Sequence, residues 1–476
     1  MNIFNMTAYQ IGTKIKNREI SCLEVTKYFF DNVTNKSNGY ICFTEDYALK
    51  KAKEIQAKID KGENLSIFAG IPVSIKDNIC TKSIKTTCAS KMLEDFYPNY
   101  NATVFDRLEK AGAILVGKLN MDEFAMGDTG RTSFFGGCNN PWDNTKSTGG
   151  SSSGCASALA YNEAIFTLGS DTGGSIRQPS AFCSVTGIKP TYGLVSRYGL
   201  IGFAPEFDQI GPITKDALDC AKTLEIISGY DKNDNVTIKK DNFNFINEDF
   251  NIKGLKIGVC KNFIEYSDDE VKIEVLKAIN ILKNMGAIIE EIDLDVIEYS
   301  MPTYQVLSSA LSISNMARYD GIKYGYKPKN IDCLEELCIK SRTDAFGVEV
   351  KKRIMFGNFI LKDQDSQNSY YKKALNAKNY IAKQFKDAFE KYDILLAPTT
   401  PKTPTPFDDN SETDIFLASA NLTGLPSLSI PCGFTQNNMP VGMQLMGNYL
   451  KDNVILNVAI QFQKNTDFHL KKPNIN

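Results

Sequence analysis

Histidine is nearly absent. The 476 residues include one, His469, in the polar stretch Asp467-Phe-His-Leu-Lys-Lys. A hydrolase built on Ser-His-Asp or Cys-His would have to take its base from that stretch. The H-E-x-x-H spacing of zinc peptidases cannot be written at all. An excess of one charge is also missing: 54 Lys plus Arg stand against 56 Asp plus Glu, a net charge of −2. No basic stripe or high pI advertises a nucleic-acid surface. No window of about 18 uncharged apolar residues exists, so no transmembrane helix is expected. The opening MNIFNMTAYQIGTKIKNREIS lacks the basic start and apolar run of a secretory signal. Cys-x-x-Cys is missing too. The 12 scattered cysteines predict reduced thiols in a cytoplasmic protein and no zinc site.

What is present is an apolar content of 42%, enough for a sizeable core. Helix and strand signals alternate. Ser21-Cys-Leu-Glu24 is a capping-box pattern ahead of Val25, Tyr28, Phe29 and Val33 at helical spacing. Gly70-Ile-Pro-Val-Ser-Ile75 reads as a strand ending in polar Lys76-Asp77-Asn78. Residues 102–111 read as a helix stopped by Gly112, and 113–116 as a buried strand. Ala164 to Leu168 is another short apolar run. Downstream, Ser267-Asp-Asp-Glu270 is expected to cap a helix that ends at Gly286, with 287–294 as a strand. Residues 393–397 and 427–430 are late strand candidates. The polar segment 228–252 reads as a surface excursion and 403–413 as a loop. This alternation predicts an α/β fold with helices on both faces of one sheet. With no repeat, low-complexity tract or linker, one large domain over 1–476 is expected rather than three.

Two familiar motifs fail on inspection. Gly112-Ala-Ile-Leu-Val-Gly117-Lys118 matches most of a phosphate-binding loop. Leu119, however, stands where Ser or Thr would hold magnesium, and the intervening residues are strand formers. Gly150-Ser-Ser152-Ser-Gly154 fits the G-x-S-x-G elbow, but that elbow needs a following His and only His469 is available.

The richest stretch for chemistry is Ser147-Thr-Gly-Gly-Ser-Ser-Ser-Gly154, followed by Gly169-Ser-Asp-Thr-Gly-Gly-Ser175-Ile-Arg-Gln-Pro179. Thr172-Gly173-Gly174 would let the backbone approach a substrate and aim several N–H groups at one spot, as an oxyanion hole requires. Ser175, directly after, is placed to be a nucleophile, and its hydroxyl needs a base. With histidine missing, that base is Lys, Asp, Glu or a chain of hydroxyls. Lys76 follows an apolar strand; burial would lower its pKa and suit it to the task.

Gly70-Ile-Pro-Val-Ser-Ile-Lys76-Asp-Asn, Gly149-Gly-Ser151-Ser152, Gly169-Ser-Asp-Thr-Gly-Gly-Ser175-Ile-Arg-Gln-Pro and Asp208-Gln-Ile-Gly-Pro212 resemble the amidase signature family over about residues 5–465. The resemblance implies one large mixed sheet covered by helices on both faces, with a catalytic core at about 65–215 and a C-terminal part at 253–465 completing sheet and pocket. It implies a Ser–Ser–Lys triad: Ser175 as nucleophile, Ser151 as a relay serine after a cis peptide bond, and Lys76 as base. It also implies that the amides from Thr172 to Ser175, with Thr172, Gly173 and Gly174 foremost, form the oxyanion hole.

Within the family, Met121-Asp-Glu-Phe-Ala-Met-Gly127, Asn140-Pro-Trp142-Asp, Lys189-Pro-Thr-Tyr-Gly193, Val195-Ser-Arg-Tyr-Gly-Leu200, Arg318-Tyr-Asp-Gly-Ile322 and Asn421-Leu-Thr-Gly-Leu-Pro426 are similar to the glutaminase components of aspartyl/glutamyl-tRNA amidotransferases. That branch implies glutamine hydrolysis, with ammonia passed to a B subunit that converts Glu-tRNA(Gln), Asp-tRNA(Asn) or both to the amide, and a small C subunit bracing the pair. No cofactor or metal is expected here; ATP and magnesium belong to the B subunit. The residues matching the glutamine pocket are Tyr304, Arg353 and Asp414, a tyrosine and one charge of each sign for a zwitterionic substrate. The chain departs from the branch at Gly127-Asp-Thr-Gly-Arg-Thr-Ser133, where Gly-Ser-Ser-Thr-Glu-Asn-Ser is usual, and at Pro205-Glu206. Asp128 and Arg131 are therefore expected to retune the substrate. A stand-alone amidase for another small amide, or a scaffold component without catalysis, are the competing expectations.

Overall fold

Apolar residues at alternate positions decide which face of a strand is buried where. In the strand Ile394–Pro398, Ile394 and Leu396 enter one hydrophobic core while Leu395 and Ala397 enter another. A sheet with two buried faces needs helices on both, and the chain supplies them. The computed structural model describes residues 2–362, 369–407, 409 and 413–474.

Among the described residues, eleven strands make one mixed sheet. In chain order they are β1 (Tyr40–Phe43), β2 (Pro72–Lys76), β3 (Ile114–Leu119), β4 (Phe166–Asp171), β5 (Thr186–Lys189), β6 (Gln209–Thr214), β7 (Lys256–Cys260), β8 (Ile288–Ile292), β9 (Ile394–Pro398), β10 (Ser427–Phe434) and β11 (Pro440–Gly447). Their spatial order is β1-β3-β2-β4-β6-β5-β10-β11-β9-β7-β8. β2 runs parallel to both β3 and β4, and β7 runs parallel to both β8 and β9; the other neighbours are antiparallel. The mixed α/β architecture is the one the sequence predicts.

The first core gathers the helices Ala8–Lys16, Cys22–Asn32, Ala217–Ile227, Asp269–Asn284 and Asp452–Lys464. The second gathers Ile297–Met316 and Tyr370–Phe389, with the turns at 88–93, 121–126 and 203–207. β2 puts Val73 and Ile75 into the first core, so alternation turns Lys76 the other way.

Local signals mostly hold. Ser21 and Glu24 form both bonds of the capping box, worth about 1 kcal/mol to the helix. Gly112 and Gly286 stand at positive φ past their helices, as expected. The Ser267 cap does not form. Its hydroxyl donates to the Phe263 carbonyl at 2.8 Å, closing the preceding turn, and Asp268 takes the N-cap position without a side-chain bond. The segment 228–252 carries no helix or strand, yet it is anchored: Phe245 and Ile252 are buried. The rejected phosphate loop is the buried strand β3. Its Lys118 Nζ donates to the Ile79 carbonyl and the Thr86 hydroxyl and lies 3.4 Å from Asp77 Oδ1. All 12 cysteines are free thiols, and no described helix is long and apolar enough to cross a membrane.

Candidate active site

Lys76 ends β2 with no exposed surface. Its Nζ lies 2.7 Å from Ser151 Oγ, 2.9 Å from Ser152 Oγ, 3.0 Å from Ser170 Oγ and 3.2 Å from the Ser170 carbonyl oxygen. These partners are all neutral. Burial therefore prevails over the more distant carboxylates Asp122, Asp171 and Asp208, and the ammonium is pushed down to about 8. A lysine so placed can shed its proton near neutral pH.

Ser151 follows a cis Gly150–Ser151 peptide bond and is fully buried. The Gly150 amide donates to Gln178 Oε1 at 3.0 Å, and the Ser152 amide to the Ser175 carbonyl at 3.1 Å. A Cβ on Gly150 would stand 1.9 Å from Asp122 Oδ2, so glycine is required for this close approach.

Ser175 sits on the turn between β4 and the helix Arg177–Cys183. Asp171, at the end of β4, organises that turn. It accepts from the Gly174 amide at 2.8 Å, the Ile176 amide at 3.0 Å, Arg177 Nε at 3.0 Å and Asn421 Nδ2 at 2.9 Å. Burial alone would raise the Asp171 carboxyl, but Arg177, Asn421 and Lys189 hold it well below the usual carboxylate range. The Gly174 amide, expected in the oxyanion hole, donates to Asp171. Thr172 turns its hydroxyl to Asp208 Oδ1 at 2.7 Å, and Asp208 Oδ2 accepts from the Phe203 amide at 2.9 Å. Gly173 packs flat against Tyr304, where a Cβ would meet the ring at 2.5 Å.

Arg177 is fully buried and is the cation beside Asp171. Removing it leaves a buried carboxylate without its paired guanidinium. Arg177→Ala is therefore expected to cost about 3–5 kcal/mol of folding stability, read as a lower denaturant midpoint with unchanged slope. A midpoint equal to that of the parent would contradict the pairing.

Ser175, Gly173 and Gly174 open onto a cavity of about 320 Å³ that is also lined by Tyr304, Arg353 and Asp414. The structure thus gathers nucleophile candidate and expected pocket residues around a space suited to a small molecule. Arg353 lies 5.8 Å from the Phe203 ring centroid. Of the two unusual residues at 127–134, Asp128 lines the cavity and Arg131 does not. Arg131 stacks at 3.2 Å on Phe407, itself a lining residue. Pro205 and Glu206 lie outside the lining. The expected loop at 403–413 contributes Thr405, Pro406, Phe407, Asp409 and Thr413; residues 408 and 410–412 are outside the described set.

Comparison with known proteins fits this geometry. Residues 24–456 match the amidase family. The chain belongs to the amidase signature family. It is 46% identical over 487 residues to the A subunit of the glutamyl-tRNA(Gln) amidotransferase of Agathobacter rectalis, covering 100% of this chain and 96% of the relative. The corresponding protein of Thermoanaerobacter pseudethanolicus is 45% identical over 99% of this chain and 98% of its own. Among solved structures, the same component of the Thermotoga maritima glutamyl-tRNA(Gln) amidotransferase superposes with a TM-score of 0.81 at 33% identity, covering 99% of this chain and 98% of that one. A bacterial aryl acylamidase of the amidase signature family shares the fold at 21% identity, with a TM-score of 0.85 over 98% of this chain and 99% of that one.

Several residues of this amidase-family site escape a reading of the sequence. Ser152 and Ser170 complete the shell around Lys76, and Asn78 Nδ2 donates to Ser170 Oγ at 2.9 Å. Asp171, Arg177 and Gln178 lie within the glycine-rich stretch 169–179, so the sequence marks their position but not their task. His469 lies outside the lining of this cavity. It is half-buried, its Nδ1 is buried without a partner among the described residues, and burial lowers its pKa. It lines a different, smaller cavity with Trp142 and Lys215.

Proposed function

We propose that the protein hydrolyses the side-chain amide of glutamine through Ser175, Ser151 and Lys76. The observation that carries this reading is the buried 2.7 Å contact between Lys76 Nζ and Ser151 Oγ beside the Ser175 turn. Neutral Lys76 accepts the Ser151 proton as Ser151 takes that of Ser175, and Ser175 Oγ attacks the amide carbon. The developing oxyanion is met by backbone N–H groups of the Thr172–Ser175 turn, with Gly174 already donating to Asp171. The proton returns through Ser151 to the amide nitrogen, ammonia leaves, and an acyl-enzyme remains on Ser175. Water, deprotonated by the same relay, releases glutamate and restores the serine. Tyr304, Arg353 and Asp414 bind the amino-acid end: Arg353 the carboxylate and Asp414 the ammonium.

The base must be unprotonated, so kcat/KM is expected to rise with pH and level off above about 8. A profile already flat from pH 6 would contradict Lys76 as the base.

The named relatives support a partner role. In this reading the ammonia passes to a B subunit, which uses ATP and magnesium to amidate Glu-tRNA(Gln), Asp-tRNA(Asn) or both, and a C subunit braces the pair. The chain acts as one cytoplasmic domain, its C-terminal part completing the pocket. Ammonia release from glutamine, assayed with and without the B and C subunits and charged tRNA, tests it. Hydrolysis stimulated by the full complex is expected. Preference for aryl or peptide amides with no response to partners would favour a stand-alone amidase.

A further inference from the structure

The charged lining of the cavity is unbalanced. Among the described residues it holds Asp128, Glu349, Asp409 and Asp414 against a single cation, Arg353. Glu349 is partly met from outside by Lys352, whose Nζ lies 2.7 Å from its carboxylate. A substrate carboxylate finds one guanidinium here, whereas a substrate cation finds several carboxylates.

Asp128 is held in place by a built turn. Beneath it, buried Asp122 accepts from the Gly130 amide at 3.0 Å, the Thr132 amide at 3.1 Å and the Thr132 hydroxyl at 2.8 Å. From the other side, Ser147 Oγ donates to the Thr129 carbonyl at 3.0 Å. The backbone of Asp128 packs against Gly150, the residue before Ser151; a Cβ there would stand 3.1 Å from the Asp128 carbonyl carbon. Burial, and then the Asp122 charge, push its carboxyl up to about 6, with the Arg353 charge opposing them. Asp128 therefore lines the cavity next to the wall that carries Ser151, in the same lining as Arg353.

We propose that Asp128 is a specificity residue that makes this cavity select amides bearing a cationic α-amino group, by adding a second carboxylate to Asp414 in the lining of the same cavity. The proposal rests on glutamine hydrolysis and names the feature of the donor that is read. A donor with its amide carbon at Ser175 has its α-carbon only a short alkyl chain away, within the same cavity. An ammonium there is attracted to both carboxylates, while a donor lacking it leaves Asp128 desolvated and unmatched. Neutral and aryl amides are rejected for the same reason.

The test compares glutamine with glutaramate, which has the same carboxylate and amide but no α-amino group. Ammonia release is followed at pH 8 for the parent, Asp128→Asn and Asp128→Ser. The parent is expected to prefer glutamine strongly in kcat/KM. Both variants are expected to raise KM for glutamine about 10- to 100-fold, the range of a charge-assisted contact, with kcat within about threefold. KM for glutaramate should stay the same or fall, so the preference shrinks by a similar factor. An unchanged preference in both variants would overturn the role of Asp128 and leave glutamine hydrolysis standing. A loss of kcat on both amides alike would also overturn it, because it would mark Asp128 as support for the Ser151 wall. Hydrolysis of neither amide by the parent would overturn both readings together.

Discussion

Ser175→Ala is expected to lower glutamine hydrolysis by about 10⁵- to 10⁶-fold, the scale seen when a serine nucleophile is removed from a coupled triad. The hydroxyl is the protein group that bonds to substrate carbon in the proposed sequence. Without it, the Ser151–Lys76 pair has no alcohol to activate. Residual turnover would come from binding and from the backbone donors acting on water. The fold should be untouched, since the turn is set by Asp171, Arg177 and Asn421 rather than by this hydroxyl. Ammonia release with purified variant, alongside an unchanged melting temperature, checks it. Turnover within about tenfold of the parent would exclude Ser175 as nucleophile.

Lys76→Ala should cost about 10⁴-fold, the upper end for a positioned general base. It should also remove the rise of kcat/KM with pH. Stability moves differently. The folded ammonium titrates at about 8 against an ordinary 10.5, so between those values the unfolded chain binds the extra proton. The Lys76 contribution to stability therefore grows as pH rises through that window, and the change in stability from low to high pH should be less favourable in the variant than in the parent by that contribution. Thermal melts at pH 7 and pH 10 would show it. A variant that retains the pH-dependent rise in activity would place the base elsewhere.

The candidate site residues are more legible in the sequence than the groups that hold them in place. Lys76 is conspicuous because a lysine closes an apolar strand, and Ser175 because glycines precede it. With one histidine in the chain, few bases are left. The supports are hidden because they span the chain: Asn421 reaches Asp171 across 250 residues, and no periodicity reports a pairing of that length. Strands β5 and β6 escape for a local reason. Thr186-Gly-Ile-Lys189 and Gln209-Ile-Gly-Pro-Ile-Thr214 carry Gly or Pro, which weaken a strand pattern, yet both are fully buried between neighbours. The partner of the Gly174 amide is hidden because a glycine-rich run says which amides can turn, not which carboxylate they turn to. Asp128 is visible as a departure from the family pattern, but its consequence depends on the other charges in the cavity, which only folding brings together.

The lone histidine takes no part in the proposed chemistry, and its proton work passes to a buried amine and a relay hydroxyl. The most direct test is active-site labelling with a fluorophosphonate at pH 8, followed by peptide mass analysis. One phosphonyl group on the peptide containing Ser175, with labelling slowed by glutamine and nearly lost in Lys76→Ala, is the predicted result. Glutamine hydrolysis by a protein that labels at another residue, or that labels equally fast without Lys76, would contradict the Ser175–Ser151–Lys76 relay.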